Sequence, residues 1–213
     1  MRKWTAVLVC LVLALACAAA AAEVQIDEDT FPDKQFRAYV EENFDKNKDG
    51  KLSKGEITAA KRIVCYSMNI ESLKGVEVFT ALTELFCADN KLTELDVSSN
   101  KNLIRLTCGL NQLTSLDLEK NTKLLALGFE KNQIEEIDLS GLKKLKTLAC
   151  AGNPMKTLDV SGCPRLATLV KNGEPAEYEP GFYGWWRKGR TYPDNYIFVD
   201  REMEVQAVKA PKK

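Results

Sequence analysis

The sequence predicts an α+β fold: a solenoid of short 21-residue coils with a helical cap at its start and a β-rich aromatic cap at its end. Three observations predict it. One unit is written four times without a gap between Leu82 and Arg165. An amphipathic segment and an Asp/Asn/Gly-rich loop stand directly before the repeats. Aromatic residues crowd the stretch that follows them, where the repeat pattern fails.

The four copies are Leu82–Asn102, Leu103–Lys123, Leu124–Lys144 and Leu145–Arg165, and they share the pattern LxxLxCxxNxLxxLDVxxNxx. Self-similarity at this period and spacing marks a leucine-rich repeat solenoid. Leu82, Leu85, Cys87, Leu92, Leu95 and Val97 point inward, as do their counterparts in each later copy. Stacking at about 4.8 Å per coil then makes continuous apolar ladders. Asn90, Asn111, Asn132 and Asn153 form a polar column suited to the turn amides that a bend leaves unpaired. The motif resembles the short bacterial repeats called IRREKO, whose coils carry extended segments on both sides.

Composition narrows the function. The chain has 213 residues, with 30 basic and 30 acidic side chains and no histidine. Ser–His and Cys–His catalysis and the commonest metal ligand are therefore absent. No pair of carboxylates stands out for glycoside hydrolysis, and no basic tract favours nucleic acid. The expectation is a non-enzyme.

Residues 1–22 read as an export signal: Arg2 and Lys3, an apolar run from Trp4 to Ala16, then small residues with Ala20–Ala22 fitting a cleavage site before Glu23. Two other readings stay open. Cys17 sits in a loose lipoprotein-type context, and the run from Thr5 to Ala22 is long enough for a marginal anchor. All three place the body outside the cytoplasm.

Residues 23–62 form the cap. Thr30-x-x-Asp33 reads as a capping box before a helix to about Phe44, with Phe36, Tyr39, Val40 and Phe44 on one face. The loop Asp45–Glu56, DKNKDGKLSKGE, matches the EF-hand pattern. Asp45, Asn47 and Asp49 take positions 1, 3 and 5, with the Lys51 carbonyl at 7, Ser53 at 9 and Glu56 at 12. Gly50 supplies the turn at position 6, and a second helix starts near Lys54. Calcium (Ca2+) is the expected cofactor, held at about 10⁻⁵–10⁻³ M because only one loop with three carboxylates is present. A structural role is expected for it.

Residues 60–81 read as a degenerate first coil, with Ile63, Cys65, Ile70 and Leu73 in the places of Leu85, Cys87, Leu92 and Leu95. The stretch from Phe31 through Leu85 resembles the start of secreted bacterial leucine-rich repeat proteins in which an EF-hand-like cap precedes the repeats. The resemblance reaches to Leu169 and implies a secreted or cell-surface binding protein. No LPxTG-type sorting motif or wall-binding repeat is seen, so covalent wall attachment is not expected.

The solenoid is assigned to residues 63–171. Leu166 and Leu169 extend its ladder, with Thr168 and Val170 outward, until Lys171 falls on an inward slot. Residues 172–213 are the aromatic cap and polar tail, with Ile197–Val208 reading as a strand, a turn and a second strand. Its aromatics either cover the last coil or present Tyr183, Trp185 and Trp186 to a sugar or a protein.

Outward positions of each first strand form the candidate binding face: Glu84, Phe86, Arg105, Thr107 and Thr147, among small residues such as Ala126, Gly128 and Ala149. Asp96, Asp117, Asp138 and Asp159 make an acidic column on the opposite segment, read as structural. Cys65, Cys87, Cys108 and Cys150 share one inward column with Phe129, which predicts free apolar thiols rather than a disulfide framework. The function expected is an exported module that binds an extracellular protein and is stabilised by calcium. The alternatives are a carbohydrate-binding module, an accessory or inhibitory subunit of an extracellular enzyme, and a purely architectural surface protein. Membrane contact is expected only through a lipid or signal anchor.

Overall fold

A computed structural model describes residues 23–172, 176–179, 182–186, 196–200 and 203–207. The cap comes first. Strand β1 (Val24–Gln25) pairs antiparallel with β2 (Lys51–Leu52), and between them runs helix α1 (Lys34–Phe44). A second short helix, α2 (Lys54–Ala59), leads into β3 (Arg62–Val64).

Helix α1 is capped by Asp33 and not by Thr30. The Asp33 Oδ1 accepts the N–H groups of Gln35 at 2.9 Å and Phe36 at 2.8 Å. Thr30 instead donates its own N–H to Asp27. The residue before a proline is steered away from helical geometry, so Pro32 delays the helix and Asp33 becomes the first residue able to cap it. The other oxygen of Asp33 accepts the Glu71 N–H at 2.8 Å and fixes the helix to the first coil. Phe31 and Phe36 are buried, and the Phe31–Phe79 and Phe44–Phe79 ring pairs pack the cap onto the first coil. Tyr39 adds a polar contact: its hydroxyl accepts the Val64 N–H at 2.9 Å and satisfies the first strand of the solenoid.

The coils then stack in register. Strands β4 (Glu84–Phe86), β5 (Arg105–Thr107), β6 (Ala126–Gly128) and β7 (Thr147–Ala149) pair in parallel with β3 and with each other. From β4 to β7 each strand is offset from the last by the 21-residue unit, while β3 lies one residue further from β4. The inward leucines Leu85, Leu106, Leu127 and Leu148 are buried, as are Cys65, Cys87, Cys108, Phe129 and Cys150. In the asparagine column each Oδ1 accepts an N–H of the preceding coil, as Asn111 does from Leu92 at 3.0 Å. Each Nδ2 donates to carbonyls of its own and the preceding coil. The column is a structural seam, as its spacing suggested.

On the opposite side, the extended segments of the first full coils join no ladder. Of the repeat's own segments on that side, only β8 (Thr157–Asp159) is a strand among the described residues.

The end of the solenoid departs from expectation. Residues Pro164–Asn172 form helix α3, so Leu166, Thr168, Leu169 and Val170 do not continue the strand ladder. Proline fits the first turn of a helix, and Leu166 with Ala167 gives that helix a buried side. The next place in the sheet is taken by β11 (Tyr196–Asp200), which pairs in parallel with β7 and buries Ile197 and Val199. Strands β10 (Phe182–Trp186) and β9 (Ala176–Glu179) follow antiparallel. The eight-stranded order is β3-β4-β5-β6-β7-β11-β10-β9. The second half of the tail, β12 (Glu204–Gln206), pairs in parallel with β8. Strands β11 and β12 therefore act as the two sides of one further coil supplied from the C-terminal segment.

Candidate binding face and metal loop

The sheet has an inward side filled by leucines and an outward side that is the candidate binding face. Alternation along each strand sets the division. At its N-terminal end the face carries a small charged group: Glu84 forms ion pairs with Arg62 Nε at 3.3 Å and with Arg105 Nη1 at 3.5 Å. The Arg62 guanidinium also lies 5.1 Å from the centre of the Phe86 ring. Glu84, Phe86 and Arg105 are thus brought together. Thr107 and Thr147 lie further along the same face, separated by Ala126 and Gly128, and the Tyr196 and Phe198 rings meet at 4.6 Å on the β11 side. Tyr183, Trp185 and Trp186 fall on β10, but their side chains lie outside the described residues.

Sequence reasoning gave Glu130 no special role, yet it is an irregular feature of this face. It follows Phe129 and points outward, with its shaft laid over glycine. A Cβ on Gly109 would meet Glu130 Cδ at 2.7 Å, and one on Gly128 would meet Oε2 at 3.0 Å. That Oε2 is buried without a hydrogen-bond partner. Burial pushes the Glu130 carboxyl above its ordinary range. The signal was present only as two glycines and a glutamate one coil apart, and their convergence is visible only in space.

The acidic column behaves as a structural feature. Asp96, Asp117, Asp138 and Asp159 each accept the N–H two residues ahead, at 2.8, 2.9, 2.8 and 2.7 Å. Those backbone bonds hold the Asp96 and Asp138 carboxyls below the ordinary range. A shallow groove of about 1290 Å³ runs beside Asp117, Glu135, Glu136 and Asp138.

The loop Asp45–Glu56 is held together by its own backbone and side-chain bonds. Lys48 and Gly50 have φ of 58° and 77°, which turns the chain twice within the loop. Asp45 is only 3% exposed and accepts the N–H groups of Asp49 and Gly50. Asp49 Oδ1 accepts from Lys51, and its Oδ2 accepts from Asn47 Nδ2. Glu56 reaches back to the Lys46 N–H at 2.7 Å and closes a capping box with Ser53 at the head of α2. Those bonds, led by the Ser53 N–H, lower its carboxyl below the ordinary range. The donor chemistry, hard oxygen throughout, is that of calcium. These carboxylates are engaged with the loop's own amides, and no group of three or more such side chains already converges on one point among the described residues.

Comparison with known proteins follows the fold. The chain is 35% identical over 72 residues to internalin J of Listeria monocytogenes serotype 4b (strain F2365). A solved functional domain of InlJ from Listeria monocytogenes, described as including a cysteine ladder, superposes with a TM-score of 0.64 and 33% identity over 70% of this chain. The chain has a leucine-rich repeat fold. A crystal structure of an internalin (inlF) from strain F2365 of the same species has the same fold, with a TM-score of 0.58 and 21% identity over 70% of this chain. The chain spans 8% of the length of the curated internalin J and 33% of the solved InlJ chain. No family profile matches it. Among the described residues no helix is long and apolar enough to cross a membrane.

Proposed function

We propose that this is an exported, non-enzymatic binding module that offers the outward face of its parallel sheet to an extracellular protein. The observation that carries the reading is the outward face of β3–β7 and β11. It sets the Arg62–Glu84–Arg105 group and Phe86 beside small residues, over a fully packed interior. Such a mixed surface suits flat contact with a protein. The likeness to internalin J and to the InlJ domain supports an interaction role and a place outside the cytoplasm. The 21-residue unit of the IRREKO kind fits the regular spacing of β4 to β7.

The loop Asp45–Glu56 is proposed to hold one calcium ion that fixes the cap on the solenoid. Asp45, Asn47, Asp49, Ser53 and Glu56 would supply side-chain oxygens and Lys51 its carbonyl. Supporting this, β2 of the loop is already paired with β1, and Leu52 is buried in the core. The ion would screen the loop's carboxylates from one another.

The test uses the exported chain and outward substitutions that leave the core alone. Thr107→Glu and Thr147→Glu are expected to abolish capture of a surface-extract protein by the immobilised chain, with melting unchanged. Capture that survives both changes overturns the reading.

A further inference from the structure

Two independent departures from the repeat meet just past the ends of β5 and β6. The first is Leu110. Its place in the coil has positive φ, 56° at Ser67 and Asp89, 53° at Lys131 and 79° at Gly152. Those residues are polar or glycine, whereas Leu110 holds a bulky apolar side chain at φ 55° and leaves it 45% exposed. Leucine is disfavoured in this region, and its exposure leaves little buried contact to offset the strain. Strain retained without an internal return points outward, to something that uses it.

The second is Glu130. Its Oε2 is buried and without a donor, over a bed that only Gly109 and Gly128 leave open. The two arginines of this face are committed elsewhere: Arg62 and Arg105 both hold Glu84. Lys131, next in sequence, is a charged neighbour of Glu130 but forms no ion pair with it, and its shaft packs beside Gly152 on the following coil. Among the described residues Glu130 makes no ion pair. The two features are joined directly, since the Leu110 N–H donates to the Glu130 carbonyl at 2.7 Å.

We infer that Leu110 and Glu130 together anchor a polypeptide partner through a lysine or arginine side chain set beside an aliphatic one. This rests on the protein-binding reading of the sheet face. The charge complementarity decides the occupant. A single carboxylate is too few ligands for a free divalent ion, and it repels phosphate. An ammonium or guanidinium neutralises the group in the geometry carboxylates favour. Leu110 supplies apolar contact for the neighbouring side chain, while Glu130 itself fills the space over Gly109 and Gly128. Anchors of this kind, desolvated and near a packed centre, dominate interface energies.

The test is a selection from a display library of random peptides about a dozen residues long, with the full exported chain as bait. Enriched peptides are synthesised and titrated against the wild type, Leu110→Asn and Glu130→Gln, each variant first checked by thermal melting. Asparagine accepts the left-handed backbone, so that variant keeps the turn. The enriched peptides are expected to place Lys or Arg beside Leu, Ile or Val. Each variant should weaken them about tenfold or more, and salt should weaken binding to the wild type but not to Glu130→Gln. No enrichment, enrichment without a basic residue, or affinities unmoved by both variants would overturn the anchor. Phe86→Ala and Thr147→Glu separate this from the broader reading. Peptides lost only in those two leave the face as the binding surface with its anchor elsewhere. Peptides unmoved by all four variants remove the face itself.

Discussion

Asp200 stands where the next coil would be: its carboxylate accepts the Gly152 N–H through both oxygens, at 3.0 and 2.9 Å. In the preceding coils the equivalent amides donate to backbone carbonyls, Asp89 to Gly109, Leu110 to Glu130 and Lys131 to Ala151. One side chain from the C-terminal segment thus replaces a backbone carbonyl and finishes the turn of the last repeat.

Removing that cap should loosen the end of the solenoid and leave its middle intact. Asp200→Ala is expected to lower stability by about 1.5–3 kcal/mol, the range for a hydrogen bond to a charged group. Hydrogen exchange should quicken at Gly152 while the β4–β6 amides keep their protection. Equal quickening along the whole sheet would mean that Asp200 acts globally and not as a local cap.

The inward and outward assignment can be checked at adjacent residues. Leu106 is fully buried between Leu85 and Leu127, so Leu106→Ala should cost about 2–5 kcal/mol through the cavity it opens. Thr107 faces out, and Thr107→Ser should cost under about 0.5 kcal/mol. Urea midpoints for the two variants decide it, and equal losses would sink the assignment.

Legibility divides along the same line. The inward ladder was readable because every coil solves the same packing problem, so Leu85, Leu106, Leu127 and Leu148 repeat at fixed spacing. The Asp45–Glu56 pattern could be proposed from sequence because its residues lie within one short segment. Asp33 was misread because Pro32, two residues past Thr30, moves the cap. Helix α3 was misread because Leu166 and Leu169 suit a strand of this repeat as well as a helix. The place of β11 beside β7 depends on a pairing across the intervening helix and hairpin, which no local pattern encodes. Glu130 was passed over because its isolation depends on Gly109 one coil away.

Glu130 should make stability fall as pH rises. Its carboxyl is raised in the folded protein by burial, with Lys131 the charged neighbour opposing that shift. A folded-state pKa above the unfolded one means the native state holds the proton more tightly. The stabilising contribution is therefore complete below the ordinary value of 4.5 and is lost as pH climbs through the raised one. Glu130→Gln is neutral throughout, so near pH 7 it should be more stable than the wild type by about 1 kcal/mol, the low end for an unsatisfied buried group. The gap should close below about pH 4, where glutamate is protonated. A melting difference that does not vary with pH would contradict this account.

Calcium should raise the melting temperature if the loop holds it. Binding to the folded state alone contributes about 2.7 kcal/mol at 100 times the dissociation constant. Glu56→Gln should remove that gain while keeping the helix start, since glutamine also serves in a capping box with Ser53. Identical melts in calcium and in chelator would rule the ion out.

The cysteines give a readout of the interior. Cys65, Cys87, Cys108, Cys150 and Cys163 are buried and free. Only thiolates react readily, and burial pushes Cys65 up to about 12 and Cys163 up to about 11. Burial raises Cys87, Cys108 and Cys150 as well. Cys163, whose thiol donates to the Leu139 carbonyl at 3.4 Å, lies outside the ladder and is less strongly shifted than Cys65. Native titration with a thiol reagent at pH 7 should therefore be slow at all five. Raising the pH should bring Cys163 into reaction before Cys65. Denaturation without reductant should expose all five at once. Recovery of a single reactive thiol would instead show that the ladder cysteines pair in the native protein, and it would replace free apolar packing by covalent stapling of the coils.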